Sequence, residues 1–477
     1  MEENEQSTLP HRTLEYLRRG WSSITEAARV RITGHVREDL PEEDQQHLAK
    51  QIDDCLEGIG GDVSQRARAA DVGRTYLTLN EVGKRHFLLL LTREYGVHEY
   101  ELKLAIDEWQ KHFSDGDHRE RPKAEEKLRR VLRSPRIQLL SQFNMLPDGV
   151  KFLVDMRAEL FSLSRTDAEF KPLEKDLKQL LKSWFDVGFL ELKSITWDAP
   201  ASLLEKLAQY EAVHAVRHWS DIKNRLAEDR RCYAFFHHQM PNEPIIYVWV
   251  ALVRGMSDNV QVLLDTKNRE YQDPDDADTA IFYSISSAQV GLRGISFGNF
   301  LIKRVVNALS ADFENLKTFA TLSPIPGFCG WLQQRLADGD GAKLLLKAER
   351  KALEAVLDEP VEQAFPALCK DYSRWYRHPE TEEAMHGPLM RLCATYLSEA
   401  RRGSAALDPV AHFHLSNGAS MERINWLGDT SPKGLKQSAG MMINYLYKTK
   451  RIEKNHEDYS GSGKIRMSSA FKSLLKA

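Results

Sequence analysis

The sequence predicts an α+β protein: an all-helical region over residues 1–190, then a mixed α/β region over 191–477 with a helical insertion at about 340–402. Three observations predict the change of architecture. Apolar residues recur at helical spacing through the first 190 positions, β-rich runs begin only after them, and a strand, glycine loop, helix, strand order follows.

The helical region reads in order. "TLNEVGKRHFLLLLTREYG" opens with Thr78 and Glu81 at capping-box spacing and stops at Gly96 as a C′ residue. "GVHEYELKLAIDEWQKHF" gives a second helix. "LPDGVKFLVDMRAELFSL" places Pro147 at a helix start, with Phe152, Leu153, Met156 and Leu160 on one stripe. "PLEKDLKQLLKSWF" gives a further helix from Leu173 to Phe185. These patterns predict packing or oligomer contacts rather than chemistry.

Beyond residue 190 a helix over 202–210 precedes "RCYAFFHH" and "IIYVWVALV", two β-rich runs joined by "QMPNEP" as a hairpin. "NVQVLLD" is expected as a third strand. The acidic "TKNREYQDPDDADT" lacks the Gly at position six and the Glu at position twelve of a calcium loop, so it reads as a solvated loop. "TAIFYSIS" is then a strand, "NFLIKRVVNAL" an amphipathic helix and "LKTFATL" the next strand. The glycine-containing loop between the first two puts backbone N–H groups and a helix N-terminus where a phosphate can sit. Neither GxGxxG nor GK[ST] is present. "RGISFG" instead resembles the R/Q-x-x-G-x-G/A pyrophosphate loop of GNAT-type acetyltransferases, with Ser296 where the first glycine is usual. Further on, "KLLLKAERKALEAVL" and "MRLCATYLSEARR" read as largely helical.

Composition removes several function classes. The chain has 477 residues, enough for two or three domains, with 28% charged residues, 42% hydrophobic ones and a net charge of −3. That balance gives no reason to expect a nucleic-acid partner or intrinsic disorder. The longest apolar runs, at 87–91 and 245–253, are too short to span a bilayer, so no membrane partner is expected. Five scattered cysteines without a C-x-x-C pair fit a reducing compartment. The acidic start "MEENEQSTLP" lacks the signature of a transit peptide, and cytoplasmic residence is the expectation.

One hydroxyl stands out. In "TLSPIPGFCGWL" Pro324 and Pro326 fix their own φ and push Ser323 and Ile325 out of the helical region, which holds Ser323 in a rigid loop, neither helix nor inner strand. Rigidity of that kind suits a residue that meets a substrate in one orientation. Some ninety residues later "HFHLSNGA" offers His412 and His414, which an extended segment would point to one side, beside the small polar cluster Ser416, Asn417 and Gly418. A zinc reading fails for lack of a third ligand at recognisable spacing, and "HAVRH" at 214–218 lacks the zinc-protease glutamate, so no metal is expected.

Together "TAIFYSIS", "GISFGNFLIKRVV", "TLSPIPGF", "HFHLSNGA", "RINW" and "MMINYLY" resemble, in order, the malonyl-CoA decarboxylase family. The resemblance implies a helical N-terminal domain used for oligomer contacts, a GNAT-like domain that binds coenzyme A, and decarboxylation of malonyl-CoA without metal or organic cofactor. It also implies a homo-oligomer, dimer or tetramer. Carried over by position, the site residues are Ser323, His414 and Tyr447. The loop of Arg293, Gly294, Ile295, Ser296, Phe297, Gly298 and Asn299 is implied to hold coenzyme A phosphates. The family's usual acidic residue at the position of Ser296 is absent, so no carboxylate role is expected there. His414 suits a general acid, Ser323 a donor to the substrate, Tyr447 a supporting donor and Asn417 an orienter of the histidine. The same coenzyme A loop would also serve a GNAT-type acyltransferase, and a non-enzymatic scaffold would leave Ser323 and His414 apart.

Overall fold

The computed structural model describes residues 21, 36–57, 61–114, 118–265, 271–295, 301–340 and 343–476. The chain forms two compact units. One is Met1–Phe189 with His237–Pro241 and Gln289–Ser296; the other is Leu190–Phe236 with Asn242–Ala288 and Phe297–Ala477.

The first unit is helical as expected, including Glu42–Leu56, Gly61–Thr78, Glu81–Arg93, Glu99–Ser114, Arg121–Val131, Pro135–Phe143, Gly149–Thr166 and Lys171–Trp184. Its core includes an aromatic cluster. Phe152 takes the edges of Trp21, Phe143 and Tyr76 at centroid distances of 5.0, 5.2 and 5.6 Å, and the Trp21 indole N–H donates to Pro147 O at 2.8 Å. Caps differ from the sequence expectation. Thr78 ends one helix, and Asn80 caps the next by accepting from Gly83 N at 3.0 Å, so the Thr78/Glu81 capping box does not form. That helix stops at Arg93 rather than at Gly96, and the helix expected from Pro147 starts at Gly149. In Lys171–Trp184, Leu173, Leu177 and Leu181 turn one stripe into the core.

The second unit is built on a mixed sheet. Its strands are β1 (Leu190–Ile195), β2 (Arg230–His237), β3 (Ile246–Val253), β4 (Thr279–Ser287), β5 (Thr318–Thr321), β6 (Ser323–Pro324), β9 (Ser420–Asn425) and β10 (Met442–Leu446); β7 (Arg401–Arg402) and β8 (Ala405–Ala406) pair separately. The order is β1-β2-β3-β4-β5-β10, with β6 and β9 also on β10. The β2–β3 hairpin is antiparallel as predicted, and β4 and β5 are parallel, joined through the helix Leu301–Asp312. β2, β3 and β4 are buried along almost their whole length, which explains the unbroken apolar sequence of β3 and the mainly apolar ones of β2 and β4. The expected strand "NVQVLLD" is instead the short helix Val260–Leu264. Asn259 caps it by accepting from Val262 N at 3.2 Å, and Val260 and Leu263, three apart, face the core. Over the predicted insertion lie the helices Lys347–Glu354, Val361–Lys370 and Pro379–Glu399.

Candidate active site

The position of Ser323 follows from where two parallel strands part. β5 pairs with β4 from Thr279↔Thr318 to Phe282↔Thr321, and Leu322 N donates to Phe282 O at 3.0 Å as the last rung. The chain then leaves β4 and pairs with β10 instead, Ser323 facing Ile443 and Pro324 facing Met442. Pro324 tolerates this place because β6 is bonded along one edge only. Ser323 thus stands at the fork, 5% exposed.

His414 comes from the helix Pro409–Ser416, not from an extended segment. Asp408 caps that helix by accepting from Val410 N and Ala411 N at 3.0 and 2.9 Å, with Pro409 in the first turn. The two histidines therefore diverge, since positions two apart on a helix lie about 200° apart. His412 Nδ1 meets Tyr459 OH at 2.9 Å, whereas His414 meets Ser323. The other carboxylate oxygen of Asp408 accepts from Gly327 N at 3.3 Å and Tyr396 OH at 3.2 Å. One buried carboxylate thereby ties the histidine helix to the loop that follows Ser323.

The three predicted catalytic residues form one line. Ser323 Oγ lies 3.0 Å from His414 Nε2, and His414 Nδ1 lies 2.8 Å from Tyr447 OH. Ser323 Oγ–H donates to Thr321 Oγ1 at 2.8 Å, and Thr321 Oγ1 also accepts from Tyr445 N at 3.1 Å. Because the serine proton is directed at Thr321, Ser323 accepts from His414 Nε2–H, and Tyr447 OH donates to Nδ1. The ring is held between neighbours as well. Tyr445 stacks on it at 4.5 Å and 25°, and Tyr447 meets it edge-on at 6.1 Å.

Burial sets the electrostatics. His414 is 3% exposed, and desolvation alone pushes its pKa down to about 3, so the imidazole is neutral in the free protein. Burial raises the phenol pKa of Tyr447 and Tyr445 well above the ordinary value. The expected orienter, Asn417, does not touch the imidazole. Its Nδ2 donates to Phe413 O at 2.9 Å, its Oδ1 is buried without a partner, and Tyr447 does the orienting. Gly418 follows at φ +83°, where a Cβ would stand 2.1 Å from Ile452 O.

Sequence reasoning missed Thr321, Tyr445 and Asp408. Each had a signal: Thr321 and Tyr445 lie two positions from Ser323 and Tyr447, the spacing that shares a strand face, and Asp-Pro before an apolar run marks a helix start.

Of the expected phosphate loop, Arg293, Gly294 and Ile295 are described, while Ser296, Phe297, Gly298 and Asn299 lie outside the described residues. The described part is anchored by Arg157, fully buried on Gly149–Thr166. Its guanidinium donates to Gly291 O and, at 3.0 Å, to Arg293 O, and its charge is matched by Glu174 at 2.7 Å. Gly294 sits at φ +73°. Among the described residues no group of three or more His, Cys, Asp or Glu is placed to hold a metal ion.

Two family models match the chain: the malonyl-CoA decarboxylase C-terminal domain over residues 188–477 and the N-terminal domain over 95–185. The chain is 38% identical to the mitochondrial malonyl-CoA decarboxylase of Anser anser anser, over 84% of this chain and 82% of that one. It is 40% identical to that of Mus musculus, over 74% and 73%. The crystal structure of malonyl-CoA decarboxylase from Rhodopseudomonas palustris superposes with a TM-score of 0.80 at 38% identity, covering 91% of this chain and 99% of the other. The Agrobacterium vitis structure gives 0.78 at 37%, covering 90% and 99%. By sequence along nearly its whole C-terminal part and by fold, the chain belongs to the malonyl-CoA decarboxylase family.

Proposed function

We propose that the protein decarboxylates malonyl-CoA to acetyl-CoA and CO2, with His414 as proton donor and Ser323 as donor to the thioester oxygen. The observation that supports this best is the Ser323–His414–Tyr447 line, in which one hydroxyl is free to re-aim its proton while its oxygen stays fixed by the imidazole. A scaffold protein would not need the two residues 3.0 Å apart.

The chemistry runs as follows. A turn about Cβ–Oγ takes the Ser323 proton from Thr321 to the thioester oxygen, where negative charge develops. The bond from the methylene carbon to the carboxylate breaks, its electron pair enters the thioester as an enolate, and CO2 departs. A positioned donor to such an oxyanion contributes about 3 kcal/mol. The methylene carbon then takes a proton from His414. Neutral in the free protein, His414 acquires that proton with the substrate, because a carboxylate brought beside a buried imidazole favours the charged form. Transfer to carbon leaves acetyl-CoA and a neutral imidazole, which solvent recharges in the next cycle.

No organic cofactor enters this scheme. The loop at Arg293–Gly294 and its continuation to Asn299 would receive the coenzyme A phosphates, as backbone N–H groups at a glycine turn do. Homo-oligomer formation, as a dimer or tetramer, is part of the same proposal. Tyr100 and Leu104, four apart on Glu99–Ser114, are exposed apolar groups of the kind that copies of a chain bury.

The test is CO2 release from malonyl-CoA by the purified protein, with a chelator present and no acyl acceptor. Release that needs an acceptor would show an acyltransferase, and release abolished by the chelator would show a metal enzyme. His414→Asn should lower kcat by about 100-fold and Ser323→Ala by a similar factor, with KM little changed. Because both act on one developing charge, the double variant should lose less than the product of the two.

A further inference from the structure

The helix Lys171–Trp184 carries two stripes. Leu173, Leu177 and Leu181 are buried, and on a separate stripe about 130° round the helix Lys171, Lys175, Lys178 and Lys182 fall at i, i+4, i+7 and i+11, within about 60° of one another over roughly 16 Å. None of these four lysines makes an ion pair or hydrogen bond among the described residues, although the molecule pairs many of its other surface cations.

Lys178 is half-buried, and it ends at Gly294. A Cβ on that glycine would meet Lys178 Nζ at 3.1 Å and Cε at 3.6 Å. The turn there is organised around a free donor. Arg157 takes Arg293 O, all peptide bonds are trans, and in a trans peptide the N–H opposes the C=O, so the Gly294 N–H points away from Arg157. It donates to no carbonyl or side chain among the described residues. The Arg293 guanidinium, on an exposed residue, is likewise unpaired among them. Among the described residues, an ammonium without a counter-ion, a backbone N–H without an acceptor at a left-handed glycine and a second unpaired cation adjoin one turn, and the Arg157–Glu174 pair holds that turn in place. Such a group lacks one component, an anion with several acceptor oxygens.

We infer that Lys178, continued by the lysine stripe of its helix, is a binding residue for the phosphates of the coenzyme A nucleotide, with the Gly294 N–H as its backbone partner. This rests on the malonyl-CoA reading above and gives the helical region a part in substrate recognition, beyond the packing role its sequence suggested. An ammonium suits the purpose because it binds phosphate as a compact charge, and the remaining lysines raise the local concentration of a polyanionic substrate.

The experiment compares Lys178→Gln with the parent on malonyl-CoA and on malonyl-pantetheine, which keeps the reacting thioester and lacks the nucleotide. KM for malonyl-CoA should rise about tenfold or more, the size of one lost charge-assisted bond, with kcat unchanged. Malonyl-pantetheine should show the same kcat/KM with both proteins, and Lys178→Arg should restore most of the lost affinity for malonyl-CoA. An unchanged KM for malonyl-CoA, or an equal loss with both substrates, overturns the inference. If the parent turns over neither thioester, the decarboxylase reading fails by itself, and titration calorimetry with coenzyme A decides the phosphate site: affinity weakened about tenfold in Lys178→Gln supports it, equal affinity overturns it.

Discussion

Replacing Tyr447 by Phe separates orientation from proton donation within the site. The ring contacts survive the change: Tyr447 meets Phe282 edge-on at 6.2 Å and His414 at 6.1 Å, and neither contact uses the hydroxyl. Only the 2.8 Å bond to His414 Nδ1 is lost. No water-facing alternative replaces it, since His414 and Tyr447 are both buried. An orphaned buried nitrogen costs about 1–3 kcal/mol, and at 1.36 kcal/mol per decade that is a factor of about 5 to 150. The imidazole can evade the cost only by turning or changing tautomer, and either change withdraws Nε2–H from Ser323. The loss should therefore fall on kcat, by about 10- to 100-fold, with KM for malonyl-CoA within about twofold. CO2 release gives the kinetics, and nitrogen-15 NMR of labelled histidine gives the tautomer: Nε2–H in the parent, altered in the variant. A kcat within about twofold of the parent, with an unaltered tautomer, would refute the assignment of Tyr447 as the residue that sets the histidine.

Two further predictions follow from burial. Asp408→Ala orphans Val410 N, Ala411 N, Gly327 N and Tyr396 OH together, so thermal unfolding should show a loss of about 2 kcal/mol or more, and kcat should fall because the His414 helix loses its tie to the Ser323 loop. The pH dependence of stability has a definite sign. His414 and His214, pushed down by burial to about 3 and about 4, bind fewer protons folded than unfolded. Their contribution is complete above about pH 6.5 and is lost as pH falls toward those values, so the denaturant midpoint should drop across that range and His414→Asn should flatten the drop.

How much of this was legible beforehand varied with the range of the interaction that decides it. Local and periodic signals carried the β2–β3 hairpin, the helix Lys171–Trp184 and the strand, helix, strand order from β4 to β5. "NVQVLLD" misled because five residues with valines two apart fit a strand and a capped helical turn equally, and the choice rests on Asn259. His412 and His414 were paired by the same period-two reading, which Asp408 and Pro409 overrule by starting a helix. Ser323, His414 and Tyr447 were named through motif resemblance, but their bonds arise from β10 pairing with β5 and β6 more than a hundred residues away in sequence. No local pattern encodes that pairing. Thr321 had a local signal in its spacing from Ser323, but its role as acceptor, and that of Tyr447 as orienter in place of Asn417, rest on that pairing.

The absence of charge at the centre of the site bears on the mechanism. Among the described residues no ionisable acid or base other than the histidine and tyrosine bonds to Ser323, Thr321, His414 or Tyr447, and the pKa of His414 is lowered by desolvation with no charged partner contributing. A standing carboxylate or ammonium on these buried residues would need permanent neutralisation. In the proposed cycle the malonyl carboxylate enters with a proton on His414, so the buried charges arrive as a balanced pair. Loss of CO2 spreads the negative charge into the enolate, and proton transfer to carbon then removes both charges at once. A low-dielectric site favours that course, because it penalises the compact carboxylate more than the dispersed transition state and drives the imidazolium to give up its proton. The depressed pKa of His414, which would disable a histidine required to be charged in the free enzyme, thus suits one that must be charged only while the substrate is present and neutral again when acetyl-CoA departs.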